Sequence, residues 1–148
     1  MKKKFNDLLF VISAIIFNIA VSGVYIAAKI DAAKIDSSVL LKIFGGIVVL
    51  LIIPFTITLV GYIKMKAKKK IIISHIFILF YLLLEVLLDY ILKIPFRQIL
   101  AIHIPYILVF YAAAFSMIGV SRTISRKTGW LVIATFLILI GCLIYYLS

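Results

Sequence analysis

Five apolar runs dominate the 148-residue chain and restrict it to folds that a bilayer permits: Leu8–Ala28, Val39–Ile63, Ile71–Leu92, Ile99–Val120 and Gly129–Leu147. A hydrocarbon layer about 30 Å thick is crossed by about 20 apolar residues in helical form, and each run is close to that length. Barrel strands need only about 9 to 11 residues of alternating apolar and polar character. These runs are apolar on every side, and helices satisfy their own backbone hydrogen bonds, which lipid does not do for them. The expectation is an all-α integral membrane protein, a single bundle of five transmembrane helices forming one domain over residues 1–148. With 66% hydrophobic residues and a mean hydropathy of +1.31, little chain is left for a soluble domain.

Lys2–Lys4 followed by an apolar run resembles a secretory leader, but a run of about 20 residues exceeds the roughly 7 to 15 of a leader's apolar region, so a retained first helix is expected. The net charge of +11 follows the loops. With five crossings, the N-terminus and the second and fourth loops share one side and carry Lys2, Lys3, Lys4, Lys64, Lys66, Lys68, Lys69, Lys70, Arg122, Arg126 and Lys127. The other side carries Lys29, Lys34, Lys42, Lys93 and Arg97. The positive-inside rule then gives a cytoplasmic N-terminus and an extracytoplasmic C-terminus. The charge therefore reads as a topology signal and not as a nucleic-acid surface. The Lys64–Lys70 loop suits anionic lipid headgroups, at about 1 kcal/mol per charge near the surface.

Within the third run, Glu85 and Asp89 lie four residues apart among Phe, Ile, Leu, Tyr and Val. That spacing puts both on one helix face. A charge at the centre of the bilayer costs about 2.5 to 3.5 kcal/mol on insertion scales, so intramembrane acids point to function by default. At about 100° per residue, Ser74, Ile78, Tyr81, Glu85 and Asp89 form one stripe, with Tyr90 off it. The polar members should turn this stripe toward the bundle interior. At 1.5 Å per residue from a midpoint near Tyr81, Glu85 lies about 6 Å and Asp89 about 12 Å into the outer half.

The link Lys93–Gln98 is short, which makes the third and fourth helices antiparallel neighbours and brings Lys93, Arg97 and His103 toward the acids. Asn18, Ser22 and Tyr25 form a polar face on the first helix, and Lys42 starts the second. The expected substrate- or ion-binding set is thus Glu85, Asp89, His103, Arg97, Lys93, Tyr81 and Asn18, in a cavity open to the outside. For Asn18 the plainer role is interhelical hydrogen bonding, and for Asp89 it is an interfacial salt bridge. His75, off the acidic stripe, reads as interfacial packing.

Other residues speak of packing. Ala112, Ser116 and Gly119 recur at i, i+4 and i+7, as do small residues at close helix contacts, and Gly45 and Gly46 suit the same use. Pro54 should kink the second helix and free the Leu50 carbonyl, with Thr56 and Thr58 close by. Trp130, Tyr145 and Tyr146 sit where an aromatic belt is expected. The single Cys142 excludes an internal disulfide and any CxxC site. No phosphate loop, HExxH pair or GxSxG elbow is present, nothing indicates a cofactor, and no metal site is expected.

These observations predict a multi-pass membrane protein with an outward-facing acidic site that binds or transports a small solute, cation or proton. One alternative is an intramembrane enzyme acting on a lipid or isoprenoid at the outer leaflet, in which Glu85 and Asp89 act as acid and base or hold a divalent metal with His103 as third ligand, and Arg97 or Lys93 binds a phosphate headgroup. The other is an accessory subunit that seats a partner helix on the acidic stripe. Five helices make a thin wall around a pathway, so a homo-oligomer or a partner membrane subunit is expected. A prokaryotic cytoplasmic membrane is the default location, since no organellar signal is visible.

Overall fold

The computed structural model describes residues 2–32, 38–94, 96 and 99–148. Lys34, Pro95, Arg97 and Gln98 lie outside the described residues. Among the described residues the chain is helical throughout, with no strand, and five helices are long and apolar enough to cross a membrane. The elements are α1 (Lys3–Ala32), α2 (Ser38–Leu50), α3 (Ile52–Lys64), α4 (Lys69–Glu85), a π-helical turn (Val86–Ile91), α5 (Leu100–Ile124) and α6 (Arg126–Leu147). Helices α2 and α3 together make the second span, and α4 with the π-helical turn makes the third.

The helices outrun the apolar stretches in several places. Lys3–Asp7 belongs to α1, and the expected loop at Arg122–Lys127 is reduced to Ser125 between α5 and α6. The extended backbone of Ser125 separates the two helices, and its hydroxyl accepts the Thr128 N–H at 3.1 Å as the cap of α6. The turn from α3 to α4 is similarly tight. The Ala67 N–H bonds the Tyr62 carbonyl and the Lys66 N–H the Ile63 carbonyl, both at 3.0 Å. With Lys66 at φ 50°, these are the paired bonds of a Schellman closure built without glycine.

As Pro54 leads one to expect, the second span is interrupted. The break falls at Leu51, three residues earlier, where the Leu51 N–H reaches both the Ile47 and Val48 carbonyls. The missing N–H of Pro54 and the crowding of its ring against the preceding turn account for the break. Thr56 and Thr58 donate to the Ile52 and Phe55 carbonyls, so neither serves Leu50.

Helix α1 is the hub, packing against α2, α3, α5 and α6, while α4 packs against α2, α3 and α5. Phe10, Ala14 and Phe17 of α1 are fully buried with Phe55 of α3, Ile78 and Leu82 of α4, and Met117 of α5. Large apolar side chains cover the outside, among them Leu8, Leu50, Phe80, Leu108 and Leu137, as expected of a surface that meets hydrocarbon. Gly23 lets the Phe44 ring cross α1, since a Cβ there would fall 2.6 Å from ring carbons. Among the described residues, Gly119 and Gly46 have no neighbour within 4 Å of an added Cβ, so neither makes a close contact there. On α5 the buried face runs through Tyr106, Phe110, Ala113, Ala114, Met117, Val120 and Ser121 instead.

Candidate functional site

The buried residues of α4 are His75, Ile78, Tyr81 and Leu82. Ile78 and Tyr81 of the expected stripe are among them, whereas Ser74, Glu85 and Asp89 are half-buried. His75, expected at the interface, is completely buried. Helix α4 is therefore rotated so that the edge of the acidic stripe borders a cavity.

That cavity has a volume of about 450 Å³ and lies between α1, α2 and the third span, with Tyr106 of α5 contributing to its wall. Its polar wall is Tyr81, Glu85, Asp89, Tyr90 and Tyr106. Facing it, α1 supplies Val21, Val24, Tyr25 and Ala28, and α2 supplies Lys42, Val48 and Val49. Two carboxylates and four phenol rings thus surround a space whose remaining walls are mostly aliphatic, with one lysine.

Glu85 is held from two helices. The Tyr81 hydroxyl, one helical turn back, donates to Glu85 Oε1 at 2.5 Å, and the Tyr106 hydroxyl on α5 donates to the same oxygen. The two hydroxyls are 2.9 Å apart. Tyr81 is 1% and Tyr106 8% exposed, so the carboxylate position is set by side chains that have almost no freedom of their own. Phe17, Phe96 and Phe110 pack around the two rings at centroid distances of 4.6 to 5.7 Å.

Immediately after Glu85 the helix widens. Residues Val86–Ile91 are π-helical, and the Leu92 N–H bonds the Leu87 carbonyl five residues back at 2.8 Å. In an i→i+5 turn, residues five apart are stacked where an α-helix stacks those four apart. Tyr90 is five residues beyond Glu85, and it lines the cavity although an α-helical wheel places it off the stripe. Gly45 of α2 admits it, since a Cβ there would lie 2.9 Å from the Tyr90 hydroxyl. At the end of the widened turn Lys93 takes φ 50° and is exposed.

Of the seven residues expected from sequence, Glu85, Asp89 and Tyr81 share this cavity. Asn18 is elsewhere: it is buried against α6, donating to Thr135 Oγ1 at 2.9 Å and to the Val132 carbonyl at 3.3 Å. Ser22 donates back to the Asn18 carbonyl, so of that α1 face only Tyr25 reaches the cavity. His103 does not line it; its ring is stacked on Tyr106 at 6.2 Å, and its Nδ1 is buried without a hydrogen-bond partner among the described residues. Lys93 is also outside the lining, and Arg97 falls outside the described residues. No group of three or more His, Cys, Asp or Glu side chains able to hold a metal ion occurs among the described residues.

Nothing in the sequence alone marks Tyr106 or the polar groups at the opposite end of the bundle. Tyr106 follows Pro105 in an apolar helix, and only the antiparallel packing of α5 on α4 brings it to Glu85. At the end carrying the N-terminus, Asn6 is completely buried and donates to the Thr58 carbonyl at 3.0 Å, while Tyr62 donates to Asp7 at 2.5 Å. Asn6 and Asp7 come just after the lysines of the N-terminus, with only Phe5 between, which disguises them as a solvated flank. Comparison with models of known families, with curated proteins and with solved structures gives no match.

Proposed function

We propose that the chain is a multi-pass membrane protein that binds, and moves across or into the bilayer, a small cation whose charge is received by Glu85. The observation that carries this reading is the placement of Glu85 on the cavity wall, its Oε1 held by phenols from two helices, with Asp89 on the same wall. Preorganised carboxylates and aromatic faces recognise cations, and a ring face adds about 0.5 to 1 kcal/mol at an exposed site and about 2 kcal/mol at a desolvated one. Apolar walls suit a cation with an apolar body, such as a protonated amine, and about 450 Å³ is within the range of small-molecule sites. With the lysine-rich end toward the cytoplasm, the cavity faces the outer side of a cell membrane. A homo-oligomer or a partner subunit would complete the wall of a pathway, and the Lys64–Lys70 turn would rest on anionic lipid.

The test is a set of binding and flux measurements in proteoliposomes with defined probes: ammonium ions from ammonium to tetrapropylammonium, sodium, potassium, and protons followed by an entrapped pH dye. The native chain responds to at least one probe. Glu85→Gln weakens that response at least tenfold, Asp89→Asn weakens it less, and Thr56→Ala, whose exposed hydroxyl serves only its own helix, leaves it unchanged. A native chain that answers no probe, or a response that survives both substitutions, refutes the proposal.

A further inference from the structure

A second cluster of polar side chains lies at the other end of α4, around His75. Its ring is completely buried in the span, between α1 and α3. Nδ1 is 2.8 Å from the Ile71 carbonyl, which can only accept, so Nδ1 carries a hydrogen. Nε2 is 3.2 Å from Thr58 Oγ1, and that hydroxyl is also 2.9 Å from the Phe55 carbonyl. The threonine has one hydroxyl hydrogen and two places to put it. With a neutral ring, Thr58 donates to Nε2. With a proton on Nε2, the ring donates to Thr58 Oγ1, and the hydroxyl turns its hydrogen to Phe55.

We propose that His75 is a proton-binding site, with Thr58 as the partner that lets the ring take up or release a proton without leaving a buried bond unmade. The proton adds to the Nε2 lone pair from water and leaves by the same route; no other group changes composition. A partner able only to donate would hold the ring neutral, and one able only to accept would hold it charged. Thr58 does either, and an unmade bond in the bilayer interior is costly.

Burial opposes charging the ring, and its aromatic neighbours offset part of that cost. The rings of Phe10 and Tyr62 stand 4.8 and 5.2 Å from the imidazole, and aromatic rings attract cations. The titratable groups that face it are Tyr62 from α3 and, behind the Tyr62 hydroxyl at 2.5 Å, Asp7 from α1. On α5, taking Tyr106 opposite Glu85 as the register, the matching stretch Ala112–Ser121 has no titratable side chain. Asp7 is only half-buried and borders a smaller cavity with Lys4 and Thr128 at the N-terminal end. Asp7 is thus the member of this group that borders that cavity, and Tyr62, bonded to it, packs against the imidazole ring. Ten residues, about 15 Å of helix, separate His75 from Glu85, and the completely buried Phe17, Ile78 and Leu82 lie between them. The site does not depend on the cation reading of Glu85.

The chain has two histidines, so nitrogen-15 histidine labelling gives two imidazole signal sets, and the His103→Gln variant assigns His75. Solid-state NMR of the full chain in lipid vesicles should show the neutral Nδ1–H tautomer at high pH and a doubly protonated ring at low pH, with a reversible transition between about pH 4 and 9 that brackets the usual histidine range. Thr58→Val should move that transition by at least one pH unit, and Thr56→Val should not move it. A His75 ring that stays neutral over the whole range, or a neutral form protonated on Nε2, overturns the proposal, and both outcomes are read on the Thr58-intact chain without relying on a destabilised variant.

Discussion

Replacing Gly61 by alanine sets two effects of known sign against each other. In a helix interior, Gly→Ala is favourable by about 0.8 to 1 kcal/mol from backbone entropy alone. At Gly61, however, the new Cβ would lie 2.3 Å from Asn6 Oδ1, 2.7 Å from Cγ and 2.9 Å from Nδ2. The amide would have to retreat by about 1 Å to reach ordinary contact distance. Asn6 is completely buried and tied to the Thr58 carbonyl at 3.0 Å, so that retreat breaks the bond between α1 and α3. An unmade buried hydrogen bond costs about 1 to 3 kcal/mol and overpacking a similar amount, so the net change is a destabilisation of about 1 to 5 kcal/mol. The assay is equilibrium unfolding in mixed detergent micelles, followed by helicity and by tyrosine fluorescence. Gly46→Ala, with nothing among the described residues within 4 Å of its Cβ, is the matched control and should be neutral or stabilising by up to about 1 kcal/mol. In an Asn6→Ala background the cost of Gly61→Ala should disappear, because the amide it strikes is gone. Gly61→Ala as stable as the native chain, or equally costly with and without Asn6, would refute the reasoning.

Lys66→Gly should raise stability by about 1 kcal/mol in the same unfolding assay, because Lys66 adopts φ 50°, where a Cβ is penalised; a loss would show that the lysine side chain outweighs its backbone strain. Asn18→Ala should cost about 1 kcal/mol through the lost bonds to Thr135 and Val132. Affinity for whichever ammonium probe the native chain binds should nevertheless be unchanged, since Asn18 does not line the cavity; weaker binding at unaltered stability would return Asn18 to the site.

The identity of the acidic residues and their shared face were legible from spacing, because a carboxylate in an apolar helix is rare and i, i+4 geometry is local. Tyr81 was legible for the same reason, one turn away. Tyr106 and Tyr90 were not. Tyr106 depends on the axial register of two antiparallel helices, and Tyr90 on a π-helical turn that no residue in Val86–Ile91 announces by type. Arg97, outside the described residues, stays with the sequence reading alone. His103 and Asn18 were placed at a suitable depth, but depth does not settle which neighbour a side chain faces.

At the scale of the whole chain, apolar length and loop charge are one-dimensional quantities. They determined five spans, helices over strands, and an expected orientation, because the bilayer acts on each segment separately. Which helix becomes the hub, how far α4 is rotated, and where buried hydrogen bonds close were decided only in three dimensions. Apolar surfaces are interchangeable in lipid, so nothing in a run of Ile, Leu and Phe names its partner. The selection falls to close approaches such as Gly61 on Asn6 and Gly23 on Phe44, and to polar atoms that must find one another. The two polar clusters of α4, Glu85 with its phenols and His75 with Thr58, are likewise set apart in three dimensions, with the completely buried Phe17, Ile78 and Leu82 between them.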